Sequence, residues 1–237
     1  MARPLWILGL DGMEPELLMR WASAGKLPTL AGCIERGASG RLLSTYNQLS
    51  SSAWVTIATG VNPGAHGIYN FQERIPGQYR LTLPTSADRR SPAFWETAGG
   101  AGRRGLVVRV PMTYPMRRFN GVGVSDWLAP SPRHPGFTQP PELAAELVAR
   151  FGWAFWGELW GDSPPHQAGR YAQALRQLLG SCSTSFSVFK HLLDRERFEL
   201  FFGVVPETDV ASHVLWHLHD PSHPAHDPSA PQSLRDG

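Results

Sequence analysis

Apolar residues along this chain gather into three nearly continuous runs separated by amphipathic stretches. Leu5–Leu10 (LWILGL), residues 105–110 (GLVVRV) and residues 198–205 (FELFFGVV) lack the polar alternation of a half-exposed strand. They therefore predict strands buried on both faces of a sheet. Spacings of three and four predict helices over residues 15–24 (Leu17, Leu18, Trp21 inward) and 27–36 (Leu30, Cys33, Ile34 inward), with Gly37 as the C′ residue. Further helices are expected from Pro92 to the Gly99-Gly100 pair, over 142–150, and over 166–195, where Tyr171, Leu175, Leu178, Cys182, Phe186, Phe189 and Leu193 recur at helical intervals. Shorter strands are expected at 41–45, 79–83 and 121–125, with irregular proline-rich chain at 111–115 and 129–141. Strands alternating with helices give an α/β fold, a mostly parallel sheet flanked by helices.

Three places on this pattern carry chemistry. Asp11 follows the first strand, where open α/β sheets place functional groups, though turns and helix caps also use aspartate there. In LSSSAWVTIATGVNPGAHGIYNF (residues 49–71) a helix of about two turns is expected from Ser51 or Ser52 to Thr59. The serine run is either a helix cap or a hydroxyl facing an anion such as phosphate at a helix N-terminus. After the third strand, Asp209 and His213 are four residues apart and share a helix face, which is metal-ligand spacing and equally the spacing of a solvated pair.

Two other segments stay ambiguous. The aromatic run FGWAFWGELW (151–160) is either packing beneath a cap or a floor for a base or sugar. His217, His219, His223 and His226 suggest zinc, but proline interrupts the run and the chain from Asp220 onward reads as an irregular tail.

Composition narrows the partners. With 42% hydrophobic and 18% charged residues, the chain has material for a sizeable core. A net charge of +2 is too small to favour a nucleic-acid polymer or an anionic membrane. The arginine-rich bias, with lysine only at Lys26 and Lys190, looks like coding bias. Cys33 and Cys182 form no disulfide framework. The apolar start is too short for a signal segment and no stretch reaches the ~20 apolar residues of a membrane span, so a cytoplasmic location is expected.

An acid after the first strand, a hydroxyl at a helix start and Asp-x-x-x-His after a late strand can all sit on one edge of a parallel sheet. Together they make half of a two-metal phosphoryl-transfer site. In this order, LGLDGM, GKLPTL, SSSAW…ATGVNPGAHGIYNF, PAFWE, VVRVPMTYP, FTQPPEL and ETDVASHVLW resemble the type I phosphodiesterase/nucleotide pyrophosphatase family of the alkaline phosphatase superfamily.

The resemblance implies an alkaline-phosphatase-like core, incomplete at its C-terminus. Residues 1–219 would form a partial domain with a cap-like insertion within 74–193, and 220–237 the tail. It implies a metal-dependent phosphoester hydrolase with a covalent phospho-enzyme on a small phosphoester or nucleotide-like substrate, and two divalent cations, usually zinc. Asp11 matches the first-strand metal ligand, and Ser50, nine residues before Thr59, matches the nucleophile and a metal ligand, with Ser51 the substitute if the register slips. Asp209 and His213 match ligands of the other metal. The three remaining family ligands come from a Ser-Asp-His-Gly segment and a later histidine, and the sequence contains no Asp-His pair. Two protein ligands per cation fall short of the usual three or four, so a non-catalytic fragment with weak phosphate or single-metal binding is the alternative. SSSAW lacks the Cys/Ser-x-Pro-x-Arg motif of a sulfatase.

Overall fold

A computed structural model describes residues 3–126, 128–152 and 168–235. The first half runs β1 (Leu5–Leu10), α1 (Pro15–Ser23), α2 (Pro28–Arg36), α3 (Ser50–Thr59), α4 (Pro63–His66), β2 (Glu73–Arg74), β3 (Leu81–Thr82) and α5 (Phe94–Gly100). There follow β4 (Gly105–Val108), β5 (Gly121–Val124), β6 (Thr138–Gln139), α6 (Leu143–Phe151), α7 (Ala168–Arg195), β7 (Leu200–Val205), α8 (Glu207–His219) and α9 (Gln232–Arg235). Residues 153–160 of the aromatic run, and the start of the long helix at 166–167, lie outside the described residues.

The main sheet has the order β1-β7-β4-β5-β6, with the first four strands parallel and β6 antiparallel to β5. This is the mostly parallel, helix-flanked α/β sheet that the alternating pattern predicts. Leu10 pairs with Val205, and Val108 with both Gly203 and Val124, so four strands deliver their carboxyl ends to one edge.

Period-two alternation divides the core. Phe201, Val205, Leu106 and Val108 pack with Leu147 of α6 and Val188, Phe189 and Leu192 of α7. Leu200, Phe202, Val204 and Val107 turn the other way, onto Trp54 and Ala58 of α3 and Trp95 of α5. Every residue of β7 is buried, as its apolar run requires.

The two outer parts of the pattern depart from expectation. Leu5–Leu10 is a strand, but it is not buried on both faces: among the described residues it pairs with β7 alone, and Trp6 is 59% exposed. Trp6 and Leu8 line an open groove of about 450 Å³ with Phe186 and Leu193 of α7. Residues 41–45 form no strand. Leu42 and Leu43 are 91% and 94% exposed, and no strand among the described residues offers their backbone a ladder.

Smaller differences are local. The 79–83 strand shrinks to Leu81–Thr82, paired with Glu73–Arg74. After α3, Pro63–His66 winds into a single helical turn, capped by the Asn62 side chain accepting from the Ala65 N–H. The 129–141 segment contributes the short β6. Gly37 is extended and not left-handed. No helix among the described residues is long and apolar enough to cross a membrane.

Candidate active site at the carboxyl edge of the sheet

Asp11 extends the β1 ladder by one step, its N–H donating to the Val205 carbonyl at 3.1 Å. The chain then turns at Gly12 with φ +62°. A Cβ at position 12 would stand 2.5 Å from Asp209 Oδ1 and 2.7 Å from Asp209 Cα. Glycine is therefore needed both for the left-handed turn and for the close approach of α8.

Helix α3 brings the serine run to this acid. It begins at Ser50, one residue earlier than the serine-cap reading allows, with Leu49 as N-cap and no side-chain capping bond. Ser50 is thus the first helical residue. Its half-buried Oγ donates to Asp11 Oδ1 at 3.2 Å. One turn on, Trp54 Nε1 donates to the same oxygen at 2.8 Å. Gly9 makes room for the indole, since a Cβ there would lie 2.3 Å from Trp54 Cη2. Asp11 Oδ2 is buried and has no hydrogen-bond partner.

The neighbouring serines are enclosed. Ser52 Oγ reaches the Asn47 and Leu49 carbonyls at 3.0 and 3.1 Å, and Ser51 Oγ is buried without a partner. Ser50 is the member of the run that reaches Asp11.

Helix α8 supplies the other two residues. Thr208 Oγ1 donates to the Asp11 carbonyl at 2.5 Å, and Asp209 then packs on Gly12. His213 Nε2 lies 3.6 Å from Asp209 Oδ2, and its side chain is 66% exposed. Asp209 and His213 face an open cleft of about 500 Å³ shared with Trp216, His217 and His223. A wider cleft of about 620 Å³, between the 132–138 loop and α6, shares no residue with this constellation.

Charge in the site is poorly compensated. Burial pushes the Asp11 carboxyl above its ordinary range, the Trp54 N–H pulls it back, and the Asp209 charge adds to the rise. Burial also raises Asp209, with His213 opposing. An orphaned buried oxygen with a second carboxylate near enough to raise its pKa makes a donor set suited to a divalent cation. Asp11 and Ser50, and Asp209 and His213, are the residues that could hold one. Among the described residues no group of three or more His, Cys, Asp or Glu is placed to hold a metal ion.

Among the described residues, other histidines have structural partners. His66 is buried, with Nδ1 accepting from the Ile68 N–H at 3.1 Å and Nε2 lying 3.0 Å from Thr56 Oγ1, which ties α4 to α3. His226 Nδ1 bonds the His217 carbonyl and His219 Nδ1 the Arg235 carbonyl. Sequence reading missed Trp54, Thr208 and the two glycines. Trp54 was within reach of it, because it stands four residues after Ser50 and so on the same helix face.

Among solved structures the chain is similar to phosphonoacetate hydrolase from Sinorhizobium meliloti 1021. In complex with phosphonoacetate that protein aligns with TM-score 0.60 and 20% identity over 98% of this chain and 50% of its own. In complex with phosphonoformate the values are TM-score 0.60, 21% identity, 94% and 49%. The present chain thus spans about half the length of these solved chains, and at such identity the likeness establishes the fold. A search of curated proteins gave no match. The family profile described as type I phosphodiesterase / nucleotide pyrophosphatase matches residues 5–229, nearly the whole chain, and the protein belongs to that family.

Proposed function

We propose that this chain carries the nucleophile-bearing part of a metal-dependent phosphoester hydrolase, with Ser50 as the nucleophile. The observation that carries this reading is the Ser50–Asp11 contact at the start of α3, with Asp11 Oδ2 orphaned and Asp209 pressed against Gly12. Ser50 Oγ is half-exposed, and its proton is directed at Asp11 Oδ1. The unpaired N–H groups of the first turn of α3, at the positive end of the helix dipole, would orient a phosphoryl oxygen beside it.

Attack by Ser50 Oγ on phosphorus would release the alcohol and leave a phospho-serine, which water then hydrolyses. Trp54 holds Asp11 in place during this exchange, and its indole screens Asp11 Oδ1 from bulk water. Divalent cations, zinc by family habit, would be held by Asp11 and Ser50 and by Asp209 and His213. They would supply charge neutralisation and a lower pKa for the serine hydroxyl. Small ligands in the structural neighbours, phosphonoacetate and phosphonoformate, support a small phosphoryl-group substrate over a polymer. A cap-like insertion over that substrate would come from chain within 74–193 that does not belong to the sheet or its packed helices.

Hydrolysis of bis-p-nitrophenyl phosphate with added Zn²⁺ tests the reading, with Ser50→Ala and Ser51→Ala side by side. Loss of turnover in Ser50→Ala alone is the expected result, and equal rates in all three proteins refute it. The sparse ligand set favours a second reading, a non-catalytic chain that binds phosphate or one cation weakly. Saturable Zn²⁺ binding without turnover in the wild type would select it.

A further inference from the structure

Beside the carboxylates of the site lies a charged cluster that the proposed reaction does not use. Arg109 follows β4, Glu207 opens α8, and Ser181 and Ser185 lie one turn apart on α7. All four are buried. Arg109 Nη1 donates to Glu207 Oε1 at 2.8 Å and also to Ser185 Oγ. Ser181 Oγ donates to the same carboxylate oxygen at 2.7 Å, and Ser185 Oγ lies 3.2 Å from it. The Arg109 backbone is fixed as well. Its N–H donates to the Val124 carbonyl at 2.9 Å, and its φ of +60° is a left-handed conformation uncommon for a non-glycine residue.

Such a cluster is a poor device for stability alone. Desolvation takes back most of what a buried ion pair gains, and apolar side chains of similar volume often serve as well. Arg109 Nη2 and Glu207 Oε2 are moreover buried without partners. What the cluster does fix is location. Glu207 is the first residue of the turn whose second residue bonds the Asp11 carbonyl and whose third packs against Gly12.

We infer that Arg109 and Glu207 are positioning residues, bolting the first turn of α8 to β4 and α7 so that Asp209 is held against Asp11. The functional half of this inference rests on the proposed role of Asp209 as a metal ligand; the positional half does not.

The test replaces the pair by apolar residues, Arg109→Met with Glu207→Leu, in the full chain. Thermal melting, amide hydrogen exchange at residues 208–210 and titration with Zn²⁺ alone are then compared with the wild type. The double variant is expected to melt close to the wild type, yet to exchange at 208–210 about tenfold faster and to bind Zn²⁺ about tenfold more weakly. Unchanged exchange at 208–210, or unchanged zinc affinity in a folded double variant, overturns the inference. If the double variant fails to fold, Arg109→Lys keeps the charge but loses the guanidinium fork. It should raise exchange at 208–210 several-fold while leaving α5 protected, and equal exchange there overturns the inference too. A wild type that binds no Zn²⁺, with exchange at 208–210 still rising in the variant, refutes the proposed function and leaves the positioning role standing.

Discussion

Glu207 and Asp209 stand two residues apart on the first turn of α8, at the same edge of the same sheet, yet they live in opposite electrostatic settings. Glu207 has a full positive charge against it, from Arg109 at 2.8 Å, and a serine hydroxyl at 2.7 Å. Asp209 faces another acid, Asp11, across a glycine, and its own partner His213 is mostly exposed. Among the described residues the side-chain donors to Asp11 are neutral, Ser50 and Trp54. A fold that needed these acids for stability alone would compensate them as it compensates Glu207. Leaving two carboxylates under-compensated makes sense where a bound cation completes the charge balance.

The contrast is most easily broken on the compensated side. Arg109→Ala strands Glu207 in a buried setting and is expected to cost about 3–5 kcal/mol, measured by urea denaturation. A third acid at this edge sharpens the comparison. Asp126, after β5, is fully buried and accepts the Met112 N–H and, at 3.2 Å, the Leu128 N–H, with no cation beside it. Burial pushes its carboxyl up to about 7 in spite of these donors. Because the folded chain then holds this proton more tightly than the unfolded chain, the stability that Asp126 contributes is fully present below about pH 4 and is lost as pH rises through about 7. The loss should approach about 4 kcal/mol, and Asp126→Asn should flatten that part of the pH–stability profile. A variant with the wild-type slope would show that Asp126 is ionised throughout.

How much of this was visible in the sequence depends on how local each cause is. β7 and the Asp209–His213 spacing were legible because burial on both faces and a four-residue helical interval are written in adjacent residues. The openness of β1 was not, since an apolar run reports a strand and says nothing of its place in the sheet order. The start of α3 was misplaced because serine suggested a cap, whereas Leu49 occupies that position with no side-chain bond. β6 is two residues long beside a proline pair, below any detectable period. The Arg109–Glu207 pair joins residues 98 positions apart, brought together only because β4 lies next to β7. Asp11, Ser50, Asp209 and His213 were singled out from motif order. Trp54 and Gly12, which set the geometry around Asp11, depend on where a second element comes to rest.

On the under-compensated side the expected effects on stability are smaller. Trp54→Phe keeps the packing on Phe202 but removes one of two side-chain donors to Asp11, for a loss of about 1–3 kcal/mol. A loss below that range would mean that water replaces the indole N–H. His213→Ala opens an exposed pair and should shift stability by less than about 1 kcal/mol, while weakening Zn²⁺ binding measurably. A large change in melting temperature would instead make His213 a structural residue.

The central claim is that Asp11 is a buried acid kept for a cation, and calorimetric titration of Zn²⁺ into the wild type and Asp11→Asn tests it most directly. Saturable binding that weakens at least tenfold in Asp11→Asn, in a protein that melts no lower than the wild type, is the predicted result. Equal zinc binding by the two proteins would contradict it.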